Sequence, residues 1–112
     1  MHKVMTINLT KSMLVKAKAN LKYGITLCTK KNIKANHDKY YFRLSDINVQ
    51  LQVEKEYRHL TNMLNDLEML CSVSGDILLT AEEYKILTNL NDLQSSNSTS
   101  ESIVLSMEKL KK

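Results

Sequence analysis

The stretch VEKEYRHLTNMLNDLEMLC, from Val53 to Cys71, sets Val53, Tyr57, Leu60, Leu64, Leu67 and Cys71 at successive spacings of 4, 3, 4, 3 and 4. That alternation keeps all six on one edge of an α-helix, the seam along which a second helix packs. Toward the N-terminus, Leu14, Leu21, Cys28, Ala35, Phe42 and Val49 continue an apolar or small column at every seventh position. The companion column opens with Ala17 and Gly24 or Ile25, then meets Lys31, Asp38 and Ser45, so the seam there is half built. Two consecutive fours, Val49 to Val53 to Tyr57, form a stutter, which unwinds a supercoil locally without ending the helix. The pattern predicts one helix from about Thr10 to Ser72, roughly 90 Å long at 1.5 Å per residue. Gly24 is its weak point, because glycine costs about 1 kcal/mol relative to alanine in a helix interior, and a bend or fray is expected there.

Downstream, Ser72-Val73-Ser74-Gly75-Asp76 supplies a glycine suited to a helix C-terminus and side chains that compete for backbone hydrogen bonds. Thr80 then serves as N-cap, Glu83 completes a T-x-x-E capping box, and Leu79 can staple onto Tyr84. A second helix follows from about residue 81 to 112, through Ile86, Leu90 and Leu93. It crosses a polar stretch, 94–102, of poor helix propensity. The phase of Val104, Met107 and Lys111 favours a weakened but continuous helix; the alternative is a hinge with Ser98-x-x-Glu101 capping a short third helix.

The fold class expected is all-α: an antiparallel two-helix coiled-coil hairpin, with one long N-terminal helix (10–72), a turn (73–79) and a shorter return helix (81–112). Equal rise in the two arms would set Lys112 opposite roughly residue 40. Residues 40–53 then carry two apolar faces, Tyr40, Leu44, Ile47 and Leu51 on one and Phe42, Val49 and Val53 on the other. One is expected to receive Met107 and Leu110, the other a different protein.

Composition agrees with helices. In 112 residues there is no proline and there are two glycines; 43% of residues are hydrophobic and 25% charged. An all-β or α/β chain needs many more turn residues. Cys28 and Cys71 have neither metal-ligand nor CxxC spacing, which suits free thiols in a reducing compartment. Apolar runs reach three residues, as in Met13 to Val15, so no membrane span or signal peptide is expected and a cytoplasmic location is.

Charge is uneven. Met1 to Arg43 holds ten basic residues against one acid, whereas Leu44 to Lys112 holds six against eleven. The nine cations before Arg43 are lysines, which favour diffuse electrostatics over the forked, base-reading contacts of arginine. Such a block fits an anionic protein surface, or nucleic acid through phosphate contact, or is simply a solvated helix face. Without Trp, and with no recognisable nucleic-acid module, nucleic acid is the weaker of the two binding readings.

Catalysis finds little support: there is no P-loop, GxGxxG or HExxH motif. His37 and Asp38 are adjacent and so do not face each other on a helix. Cys28, near Lys30 and Lys31, falls in the apolar column and reads better as packing than as a reactive thiol. Glu54, Glu56 and His59 lack metal-ligand spacing beyond a lone i, i+3 relation. No catalytic residue, cofactor or metal is assigned, and the chain is not expected to be an enzyme.

A basic N-terminal helix, a leucine-rich segment at Leu60 to Leu70, a short turn and Leu79-Thr80-Ala81-Glu82-Glu83-Tyr84-Lys85-Ile86-Leu87 opening the return helix resemble the FliJ/YscO/InvI family. These are small stalk proteins of type III secretion systems, and the likeness is closest to the short stalk protein of the Shigella-type invasion apparatus. The resemblance implies a virulence-associated protein-export function: a stalk whose terminal ends enter the pore of a hexameric secretion ATPase, stimulating it, while its turn points to the export gate. On this chain the ATPase-facing set would be Lys11, Lys16, Lys18, Lys22, Lys30, Lys31 and Lys34 with Lys109, Lys111 and Lys112. The gate-facing set would be Asp76, Ile77, Leu78, Leu79, Tyr84 and Leu87. Secretion chaperones are further candidate partners. The alternative is a basic coiled-coil adaptor or a nucleic-acid-binding helical protein.

Overall fold

In a computed structural model, which describes residues 2–36, 43–73 and 76–111, the chain is mostly helical. The elements are β1 (His2–Thr6), α1 (Ile7–Asn36), α2 (Arg43–Glu56), α3 (Arg58–Cys71), β2 (Asp76–Thr80), α4 (Ala81–Asn91) and α5 (Ser100–Leu110). Together they form three limbs: α1, then α2–α3 running back along it, then α4–α5 running with it. The molecule measures 54 × 29 × 21 Å.

The long N-terminal helix is present, but the single helix over 10–72 gives way to two limbs packed on each other. Thr10, Leu14, Ala17, Leu21, Gly24 and Cys28 are all buried and repeat the spacings 4, 3, 4, 3 and 4. This seam matches the one on Val53 to Cys71, also buried. The two lie antiparallel, joined by a Lys18–Glu68 ion pair at 2.8 Å and a Cys28 Sγ to Tyr57 hydroxyl contact of 3.7 Å. Each stripe therefore covers the other, and a fully buried leucine in such a seam contributes about 2 kcal/mol. The predicted faces at Tyr40, Phe42 and Leu44 fall outside the residues or side chains described, as does the His37-Asp38 pair. Ile47 and Leu51 are exposed, while Val53 is buried and Val49 half-buried.

The stutter becomes a one-residue interruption. The Tyr57 amide donates to Glu54 O at 3.2 Å, and its own carbonyl accepts from both Leu60 N and Thr61 N. The slip turns the Tyr57 ring fully into the core. α1 runs unbroken through Gly24. That glycine is a notch: a Cβ there would meet Met107 Sδ at 2.5 Å. Met107 thus packs on α1, at Gly24.

The turn at 73–79 is in part a strand. β2 pairs antiparallel with β1, His2 opposite Thr80 and Thr6 opposite Asp76. Its side chains alternate, Ile77 and Leu79 inward and Leu78 outward, as a half-buried strand requires.

The Thr80 box forms as predicted, Glu83 N to Thr80 Oγ1 at 3.0 Å and Thr80 N to Glu83 Oε1 at 2.9 Å. The return helix is not continuous through 94–102: α4 stops at Asn91 and α5 starts at Ser100 behind a second capping box, Thr99 with Ser102. The hinge alternative holds with its cap moved one residue. Ser98 instead ties the loop, its Oγ donating to Leu93 O and accepting from Ser95 N. The hinge also shortens the third limb. Residue 40, the expected neighbour of its end, is outside the described residues; that end lies opposite residues 56–59. There Lys111 pairs with Glu56 at 3.2 Å, and Leu110 O meets His59 Nε2 at 3.0 Å.

A buried polar clamp fixes α1 against α4. Asn20, 5% exposed, donates Nδ2 to Leu90 O at 2.7 Å and accepts at Oδ1 from Gln94 Nε2 at 3.1 Å. Asn91 Nδ2 reciprocates to Met13 O at 3.0 Å. Satisfied buried amides of this kind specify register, since any slip leaves them unpaired. Among the described residues, no helix is long and apolar enough to cross a membrane.

Candidate protein-binding surface

Because the buried stripe of α1 is Thr10 to Cys28, its lysines are driven to the opposite arc. Lys11, Lys16, Lys22, Lys30 and Lys34 are exposed. Lys18 is half-buried beside Glu68, and Lys31 donates to Glu108 Oε1 at 2.9 Å. That hydrogen bond and the Lys31 charge hold the Glu108 carboxyl below its ordinary value. The cationic surface thus runs about 35 Å along α1 at 1.5 Å per residue from Lys11 to Lys34.

The C-terminal lysines join this surface only at its far end. Glu108, bound to Lys31, puts exposed Lys109 and Lys111 near that end of α1, roughly 30 Å from Lys11 by helix rise. The structure therefore does not gather both termini into one cluster. Lys112 lies outside the described residues.

The gate-facing set separates differently. Ile77, Leu79 and Leu87 are core residues with 2% exposure or less, which removes them as contacts for a partner. Tyr84 is half-buried, and the Asp76 side chain lies outside those described. Leu78 remains, 62% exposed, and at the same end of the molecule the structure adds Met69 (70%) and Val73 (79%). Sequence reading missed these two because attention to the 4-3 stripe passes over apolar residues that sit off it.

Two grooves flank the limbs, each of about 720 Å³. One, between α1 and α2–α3, is lined by Lys22, Lys30 and Arg58 among other residues. The other, between α3, α4 and α5, mixes Glu82 and Asp92 with Lys85, Lys109 and Lys111.

The remaining chemical candidates have structural roles. Glu54 accepts from Gln50 Nε2 at 3.0 Å, Glu56 pairs with Lys111, and His59 caps the end of α5. Among the described residues, no group of three His, Cys, Asp or Glu is placed to hold a metal. Cys28 and Cys71 are free and buried. Burial raises both thiols, outweighing the lowering of Cys28 by the Tyr57 hydrogen bond and by Lys111 and Lys31. A thiol held protonated is a poor nucleophile. Burial, then the Cys28 contact, also pushes the Tyr57 hydroxyl upward.

Comparison with protein-family models, with curated proteins and with solved structures returns no match for this chain.

Proposed function

We propose that this chain is a non-catalytic stalk protein of a type III secretion apparatus, acting at its cytoplasmic face. In this reading it engages the pore of the hexameric export ATPase, stimulates it and links it to the export gate. The observation that carries the proposal is the arc of solvent-facing lysines along α1, continued by Lys109 at its far end. Lysines spaced along a rigid helix attract several acidic subunit surfaces in turn without a single fixed geometry. The coiled-coil element is the antiparallel pairing of the stripes on α1 and α2–α3, braced by α4–α5 as a third limb. A body 54 Å long is shorter than the roughly 90 Å expected of a single helix over 10–72, so the pore contact falls on its cationic flank as much as on its tip. The gate contact, in the same proposal, uses Leu78 with Met69 and Val73.

A basic helical adaptor with a different acidic partner is the second reading, favoured by the short three-limbed body. Hydrolysis by the cognate secretion ATPase, measured with and without the chain at low and high salt, separates the two. The control is the Lys11→Glu/Lys16→Glu/Lys34→Glu variant, which spares Lys18 because its Glu68 partner belongs to the fold. Stimulation that weakens with salt and disappears in the variant supports the stalk; neither binding nor stimulation leaves the adaptor.

A further inference from the structure

The groove between α1 and the α2–α3 limb has two chemically distinct parts. Its floor is apolar, built from buried Leu21 and Leu64 with half-buried Ile25. Its rim is cationic, with Lys22 and Lys30 from α1 facing Arg58 from α3, all exposed. Glu54 is the single carboxylate among the described lining residues, whereas the groove on the other side of α3 is mixed in sign. Thr29 Oγ1, shielded from solvent beside the floor, has no hydrogen-bond partner among the described residues.

A trough between two antiparallel helices is the seat into which a further helix packs its side chains at i, i+3 or i+4, and i+7. Cations along both rims repel a lysine-flanked helix and favour one flanked by carboxylates. A phosphate or a nucleic-acid backbone would meet the rim but leave Leu21, Ile25 and Leu64 uncovered. A second copy of this chain is poorly suited, because its acidic helices α4 and α5 already bury their apolar faces at Leu87, Leu90, Ile103, Val104 and Met107.

We propose that this groove docks an amphipathic helix of another protein, aliphatic side chains on the floor and Asp or Glu against Lys22, Lys30 and Arg58. The site shares Lys22 and Lys30 with the lysine arc of the stalk reading, but its floor and Arg58 belong to the groove alone. The ATPase experiment reverses Lys11, Lys16 and Lys34, none of which lines the groove, so the two can fail separately.

The test is selection against the full chain from a library of helical peptides of about 16 residues, Leu or Ile at i, i+4, i+7 and i+11. Flanking positions are drawn from Glu, Lys, Gln and Ser. The expected result is enrichment of Glu over Lys in the flanks, with amide shifts on the ¹⁵N-labelled chain centred on Leu21, Ile25 and Leu64. Affinity should fall about tenfold or more in the Lys22→Glu/Arg58→Glu variant. A peptide with Lys flanks should then bind that variant, which also demonstrates that it is folded. No acidic preference, shifts centred on Ile47 and Leu51, a variant that binds as before, or dimerisation of the chain through the groove would each overturn the proposal.

Discussion

Gly24 and Met107 occupy one space: a Cβ on residue 24 would stand 2.5 Å from the Met107 sulfur and 2.8 Å from its Cγ. Gly24→Ala gains about 1 kcal/mol in helix propensity and loses about 2 kcal/mol to overpacking, so the variant should be less stable by about 1 kcal/mol. In a Met107→Ala background the same substitution should become stabilising. Urea unfolding of the four proteins in this cycle checks it; equal effects in both backgrounds would show that the notch carries no energy.

Asn20 is the second position where a small change should be felt. Asn20→Ala removes the acceptor for Gln94 Nε2 and the shorter of two bonds to Leu90 O, which keeps the 3.3 Å bond from Leu93 N, at a cost of about 1 kcal/mol. Asn20→Asp should cost more, because a carboxylate would face that carbonyl. Amide exchange at the end of α4 should accelerate in both variants, and unchanged protection there would show that the clamp does not hold α4.

The two capping boxes make a discriminating pair. Thr99→Ala should cost about 1 kcal/mol through the first turn of α5, as Thr80→Ala should for α4. Ser98→Ala removes hydrogen bonds within the loop, so it should loosen residues 93–98 while α5 keeps its helical shifts. Fraying of α5 in Ser98→Ala but not in Thr99→Ala would return the cap to Ser98.

Alkali should weaken the fold. Burial raises the Cys28 and Cys71 thiols above the ordinary 9.0 and the Tyr57 hydroxyl above 10.0 in the native state. Below pH 9 these groups are protonated in native and unfolded chains alike, and their contribution is fully present. As pH rises past 9 the unfolded chain ionises first, so stability should fall until the native groups also ionise. A thermal midpoint measured from pH 7 to 11 tests the direction, and a thiol reagent at pH 8 should label either cysteine only as fast as the chain opens.

The sequence reading was strongest where a local rule acts on its own. The 4-3 stripe from Val53 to Cys71 and the Thr80–Glu83 box follow from spacing and from one side-chain hydrogen bond, and both are present. It failed where partner choice decides. The seam from Thr10 to Cys28 is complete on its own, but in the sequence Ala35, Phe42 and Val49 keep its seven-residue phase and so give no sign that α1 ends at Asn36. The register of β1 on β2 and the Asn20 clamp depend on residues some 70 positions apart, which no periodicity reveals. The lysine arc was legible as charge. Its division into a flank and a groove rim was not, because Arg58 lines one groove with Lys22 and Lys30 only once the second limb has folded back.

The central place of α1 also has a temporal side. During synthesis α1 leaves the ribosome before every helix that covers it, and its notch at Gly24 is filled only when Met107 has been made. Until those helices have been made, the buried seam from Thr10 to Cys28 stands open to whatever binds nascent helices. Its lysines keep that unfinished chain in solution.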